Sequence, residues 1–211
     1  TLSGHTMADN EFTTTEEKAS YGIGMQMGQQ LTNAFPGVSV SAALTGIQDA
    51  IAGKEPQVNP DEINEAFQVI QQQLKEEEAN NADKFAAEGN AFLEQNATRS
   101  DVTVTESGLQ YEVITEGDGE KPAASSTVST HYRGTLIDGT EFDSSYSRNQ
   151  PTEFPVNGVI SGWTEALQLM TVGSKWKLFI PYQLAYGEQG AGGAIGPYQT
   201  LIFELELLEI K

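Results

Sequence analysis

The sequence contains no cysteine, only two histidines, and 11 basic residues against 30 acidic ones. Each shortage excludes something. Without cysteine there is no disulfide, no thiolate zinc site and no cysteine nucleophile, although the compartment stays open. His5 lies in the leading TLSGHT and His131 on the outward face of a strand, so a serine triad or a histidine metal centre lacks its base or its ligand set. The net charge of -19 is spread evenly, with 15 acids and 5 bases in residues 1–100 and 15 and 6 in residues 101–211. Such a chain repels nucleic acid and anionic membrane surfaces, and neither is expected as a partner. No run of 18 apolar residues occurs, so no membrane-spanning helix is predicted. TLSGHT has no apolar signal-peptide core and reads as a tag remnant. With Met7 as the natural start the expected location is cytoplasmic; it becomes periplasmic if a leader was removed.

What is present is a core-forming composition, 38% hydrophobic with 9 Phe, 7 Tyr and 2 Trp, in two halves of different period. Residues 14–97 read as helix. Ala19, Ile23, Met27 and Leu31 recur at steps of four until Pro36-Gly37 breaks the run. Val40, Ala43, Leu44, Ile47 and Ile51 follow at helical spacing, with Gly53 as the stop. At 59–62, Asn59 can cap, Pro60 suits the first helical position and Glu62 can close a capping box. Ile63, Phe67, Ile70 and Leu74 then step onward, and after the polar stretch KEEEANNADK the stripe resumes at Phe85, Phe92 and Leu93. A helix over about 60–97 would span roughly 57 Å. Its polar middle suggests an exposed strut between two packed regions; a break near Asn80-Asn81 is the other reading. The two leading helices make a thin core for one chain, which a second copy would complete. Gly22, Gly24 and Gly28 would let its backbone approach. GIGMQMG is not a dinucleotide fingerprint, because its spacing is wrong and no strand precedes it.

From about residue 101 the period becomes two. Leu109, Tyr111 and Val113 alternate with Gln110 and Glu112, Val128, Thr130 and Tyr132 with Ser129, His131 and Arg133, and Trp176, Leu178 and Ile180 with Lys175 and Lys177. Leu201, Phe203, Leu205 and Leu207 alternate with Ile202, Glu204 and Glu206. This predicts an antiparallel sheet with one buried face and one short helix, 163–170, capped by Ser161. The fold class is α+β. Asp138 and Glu141 flank Gly139 where a hairpin turn is the ordinary reading, so a carboxylate pair for glycoside hydrolysis is not favoured. DGTEFDSSYSRN does not match a calcium loop. No metal and no cofactor is expected. Trp163, bracketed by glycines at a helix start, is either the floor of a pocket or core.

The pieces YRGTLIDGTEFDSS, FPVNGVISGW, VGSKWKLFIPYQLAYG and TLIFELELLEI closely resemble the FKBP family of peptidyl-prolyl cis/trans isomerases. ASYGIGMQMGQQL resembles the dimerising arm of its Mip-like bacterial branch, and the chain is most similar to cytoplasmic members of about 22 kDa. With residues 1–13 read as a tag remnant and disordered N-terminus, the resemblance implies a helical dimerisation domain over 14–58, a long linking helix over 59–98, and an FKBP-type isomerase domain over 99–211. That domain is an antiparallel sheet wrapped on one short helix. Asp143, Tyr186 and Phe142 would carry catalysis. Tyr132, Arg148, Phe154, Val159, Ile160, Trp163, Ile195 and Phe203 would bind substrate, with Trp163 as the floor and Arg148 holding Asp143 and Tyr132. Ala191 and Gly196 depart from common members, the first smaller than usual and the second in place of proline.

The implied activity is isomerisation of X-Pro bonds without covalent catalysis by a homodimeric folding helper. The alternative is a chaperone that holds unfolded chains between two arms, with isomerisation secondary. Expected partners are a second copy, unfolded or proline-containing polypeptides, and rapamycin-type macrolides as inhibitors. Asp143 is then read as a carboxylate paired with Arg148 that sets pocket polarity rather than as an acid or base, with a purely structural ion pair as the alternative.

Overall fold

The computed structural model describes residues 11–211. The tag-remnant reading falls on residues 1–10, outside the described residues, and extends only to 11–13 within them. The chain divides into two compact units with the boundary between Leu74 and Lys75.

The first unit begins with α1, Thr15–Thr32. Thr14 and Glu17 form a reciprocal capping box at its start, as the side chain of each accepts from the backbone of the other. α2 runs Val40–Ile51 and is capped by Ser39, whose Oγ accepts from Ala42 N at 3.2 Å. Gly53, with φ +68°, ends it in the left-handed region that glycine enters without strain. Neither helix buries a single residue within this chain. Ile23, Met25, Val40, Leu44 and Ile51 are all exposed.

α3 is one unbroken helix, Pro60–Asn96, and does not break at Asn80-Asn81. Asn59 starts it by accepting from Asp61 N at 2.9 Å, and Pro60 occupies the first turn, where its missing N–H costs nothing. No proline or glycine interrupts the polar middle, so helix propensity carries it through.

The second unit contains the C-terminal part of α3, the short helix α4 (Ser161–Leu169) and, among the described residues, a seven-stranded antiparallel sheet. The strands are β1 (Val102–Val104), β2 (Gln110–Thr115), β3 (Thr127–Leu136), β4 (Glu141–Ser144), β5 (Thr152–Pro155), β6 (Lys175–Ile180) and β7 (Leu201–Ile210). Their order is β1-β2-β6-β7-β3-β4, with β5 beside β4 on the outer edge of β3. The two-residue alternation is realised most cleanly on β7, where Leu201, Phe203, Leu205 and Leu207 are buried in turn. These side chains and Val128, Leu178 and Ile180 form a core with Trp163, Ala166 and Leu167 of α4. Gly162 lets α4 sit close, because a methyl there would stand 2.7 Å from Ile180 Cγ2.

Two local expectations are corrected. α4 begins at Ser161, and its N-cap is Ile160, with no side-chain cap bond. The extended Ile160 supplies the carbonyl that accepts from Trp163 N and Thr164 N, at 3.0 and 3.1 Å. Gln110, on the polar side of β2, is buried rather than outward. Its side chain accepts from Asn96 Nδ2 at 2.8 Å and donates to Leu93 O at 2.9 Å. The end of α3 covers that face of the sheet, and Phe92 packs on the buried Phe179 with ring centres 6.0 Å apart.

Candidate active site

The concave face of the sheet, α4 and the segment after β6 enclose a cavity of about 640 Å³, a size typical of small-ligand sites. Trp163 forms its floor, 4% exposed, because α4 presents it toward the sheet. Three rings stand edge-on to it: Tyr132 at 5.2 Å, Phe154 at 5.3 Å and Phe203 at 5.2 Å, with interplanar angles of 78–84°. Phe142 meets Phe203 edge-on at 5.5 Å. Edge-to-face pairs place positive ring edges on negative faces and hold the rings rigidly. Gly134, in the middle of β3, makes room for this cage, since a methyl there would lie 2.6 Å from Phe142 Cζ. Val159 and Ile160, just before α4, and Ile195 complete the apolar wall.

Asp143 reaches the cavity from β4 with both oxygens engaged. Oδ1 accepts from Arg148 Nη1 at 2.7 Å and from its neighbour Ser144 N at 2.8 Å. Oδ2 accepts from Tyr132 Oη at 2.5 Å. Arg148 Nη2 also donates to Tyr132 Oη at 2.9 Å, and its guanidinium lies 5.8 Å from the centre of the Tyr132 ring. Desolvation pushes the Asp143 carboxyl up, but the hydrogen bonds from Tyr132 and Arg148, together with the Arg148 charge, outweigh it and hold the group below its ordinary range. Burial, then the bond to Asp143, pushes the Tyr132 phenol up. At neutral pH the set is therefore carboxylate, neutral phenol and guanidinium. Tyr186 lines the cavity with 41% of its surface exposed.

Of the eleven residues singled out in the sequence, ten line this one cavity. Arg148 does not line it and instead braces Asp143 and Tyr132 from outside. Ala191, noted above for its small size, lines it too, as do Gly158 and Ala194, which carry no chemistry that a sequence pattern would flag. The other acids of the 138–143 stretch serve separate ends. Asp138 accepts from Thr140 N at 2.9 Å in the turn at Gly139, and Glu141 pairs with Arg133 at 2.8 Å. Among the described residues no group of three or more His, Asp or Glu is placed to hold a metal ion.

Residues 118–208 match the family described as FKBP-type peptidyl-prolyl cis-trans isomerase, and residues 16–113 match the domain amino terminal to it. The FKBP-type 22 kDa peptidyl-prolyl cis-trans isomerase of Escherichia coli is 52% identical, over 97% of this chain and the whole of that protein. The chain belongs to the FKBP-type peptidyl-prolyl cis-trans isomerases.

This FKBP-type isomerase is also similar to the crystal structure of FkpA from Escherichia coli, with TM-score 0.68 and 36% identity over 95% of this chain and 98% of that one. The outer membrane protein MIP of Legionella longbeachae is 40% identical over 94% of this chain and 87% of its own length. That finding overturns the cytoplasmic placement expected above. The expectation rested on the lack of an apolar leader ahead of Met7, and a chain end carries no information about what precedes it in the natural protein. Among the described residues no helix is long and apolar enough to cross a membrane.

Proposed function

We propose that the cavity above Trp163 binds the proline ring of an X-Pro segment and speeds rotation of its amide by desolvation and positioning. One observation carries this reading: six aromatic rings and three large aliphatic side chains line a site whose carboxylate has both oxygens hydrogen-bonded. The planar amide is the more dipolar form, so water stabilises it over the twisted one. The barrier of about 18–20 kcal/mol comes from lost resonance, and an apolar site that strips water from the amide lowers it. A millionfold gain needs only about 8 kcal/mol, within reach of desolvation and orientation together. Asp143, ionised and with both oxygens engaged, sets the polarity beside the twisting carbonyl. Tyr186 donates to a substrate carbonyl, and Phe142 closes the wall next to Asp143. The same cavity would accept rapamycin-type macrolides, which competition with a proline peptide would reveal.

The helical region is read as the dimerising part, with 14–58 exchanging contacts between two copies, 59–98 as the link and 99–211 as the catalytic domain. In support, α1 and α2 leave an apolar groove of about 670 Å³ lined by Met27, Leu31, Val40, Ala43, Leu44 and Ile47. Among the described residues none of these side chains is buried, and Met27, Val40 and Leu44 are exposed. A second reading, in which these surfaces hold unfolded client chains, draws on the same exposed apolar residues.

The test is the cis/trans exchange rate of a Leu-Pro peptide measured by NMR with catalytic amounts of protein. Acceleration that falls in both Asp143→Ala and Tyr186→Phe supports the site. Acceleration untouched by both variants would move the chemistry elsewhere.

A further inference from the structure

The segment 187–198 contributes Ala191, Ala194 and Ile195 to the wall of the cavity, and five of its twelve residues are glycine. Such a stretch loses much conformational freedom on ordering, and needs support to keep one shape. It closes on itself, as Tyr198 N donates to Gly187 O at 3.0 Å. Within it Ala191 and Ile195 exchange backbone hydrogen bonds of 2.9 and 3.3 Å. That small hairpin turns Ala191, Ala194 and Ile195 into the cavity.

Directly behind it stands α3. A methyl at Gly196 would lie 2.8 Å from Phe85 Cε2, so the aromatic ring occupies the space a side chain would take. One helical turn further, a methyl at Gly89 would collide with the Thr200 hydroxyl. Positions 85 and 89 of the helix thus meet positions 196 and 200 of the chain, four residues apart on each side. Gly196 N also donates to Gln199 Oε1 at 2.5 Å. The rest of the helix end is held without Phe85, by Phe92 on Phe179 and by the Asn96–Gln110–Leu93 hydrogen bonds. Phe85 itself is only half-buried.

We propose that Phe85 is a positioning residue for the proline site: its ring backs Gly196 and thereby fixes where Ile195 and Ala191 stand in the cavity wall. This rests on the reading of that cavity as the proline site. Phe85 touches no substrate; it sets how firmly the 187–198 wall grips one. Binding should therefore respond to its loss more than turnover.

The experiment uses the full chain and compares the parent with Phe85→Ala, Phe85→Leu and Gly196→Ala. Peptide isomerisation is measured over a range of substrate concentration, and amide hydrogen exchange is followed by NMR. Phe85→Ala is expected to raise KM about threefold or more with kcat within about twofold. Exchange at Ala191 and Ile195 should quicken while that of β6 and β7 stays at the parent rate. Phe85→Leu, which keeps an apolar backstop, should recover most of both effects. If Phe85→Ala fails to fold, Gly196→Ala reads the same contact from the other side and should reproduce the KM rise. Unchanged KM in the folded variants overturns the inference, whether or not exchange at 191 and 195 quickens. So does a uniform quickening across the sheet with KM and kcat falling together, which would mark Phe85 as general packing. Failure of the site itself shows separately, as parent-like activity in Asp143→Ala and Tyr186→Phe.

Discussion

The two units of this chain solve the burial problem in opposite ways. Residues 75–211 hide most of their large apolar side chains from water within one chain, with Val128, Leu167, Leu178, Leu201 and Leu205 fully buried. The helices α1 and α2 bury none of theirs, although α2 is as strongly one-sided as a helix in a core. Apolar surface of that extent on a folded protein is ordinarily a contact surface. A pattern of burial that fails inside one chain is thus itself a structural signal, pointing to what the chain must meet.

The sharpest way to break this contrast is a charge on the exposed stripe. Leu44→Asp should split a dimer, because an unpaired buried charge costs about 3–5 kcal/mol. Sedimentation equilibrium should then show half the parent mass, with isomerisation of a short peptide retained. A parent that is already monomeric would give the apolar face to clients instead.

Next comes the core of the second unit. Trp163→Ala should cost about 3–5 kcal/mol of stability and nearly all peptide activity. Trp163→Phe should lose less of each, as urea melts and exchange NMR would show. A cut of the chain sharpens the boundary. A fragment that starts at residue 75 keeps Phe85, Phe92 and Asn96, whereas one that starts at residue 100 loses the partners of Gln110 and Phe179. The shorter fragment should be less stable by about 2–4 kcal/mol, the cost of one uncovered ring contact and two lost hydrogen bonds. Equal melting of the two would mean that the helix end merely rests on the sheet.

The smallest effect is that of pH. Asp143 has its folded-state pKa depressed, so its pairing contributes stability above the unfolded value near 3.9 and loses it as pH falls through the lower folded value. Activity should stay level from neutral pH down to about 4 and fall only below that. An activity loss centred between pH 5 and 7 would mean that another group controls the site.

Much of this was readable in the residues. The change of period near residue 100, the start at Asn59-Pro60 and the stop at Gly53 are local signals, and the backbone obeys them. The cavity lining was legible only through resemblance, since nothing in the spacing of Phe142, Trp163 and Phe203 says that their rings meet. Gln110 and Phe179 escaped because their burial depends on a helix that returns to the outer face of the sheet; alternation within a strand cannot report a second cover. Ser161 has the residue type of a cap, but the helix already begins at Ser161 and the cap position falls on Ile160, whose side chain cannot accept a hydrogen bond. Ala191, Ala194 and Gly158 are small residues in a wall, and small residues carry no chemical label.

The placement of the two tryptophans has a practical consequence. Both lie in the second unit, Trp163 beneath the cavity and Trp176 stacked on Tyr111 with ring centres 4.1 Å apart. Light absorbed by indole therefore interrogates the isomerase half alone, and the helical half is dark to it. Emission recorded beside far-ultraviolet circular dichroism during one melt would separate the two halves without any label. A macrolide or peptide settling over Trp163 would announce itself in the same signal.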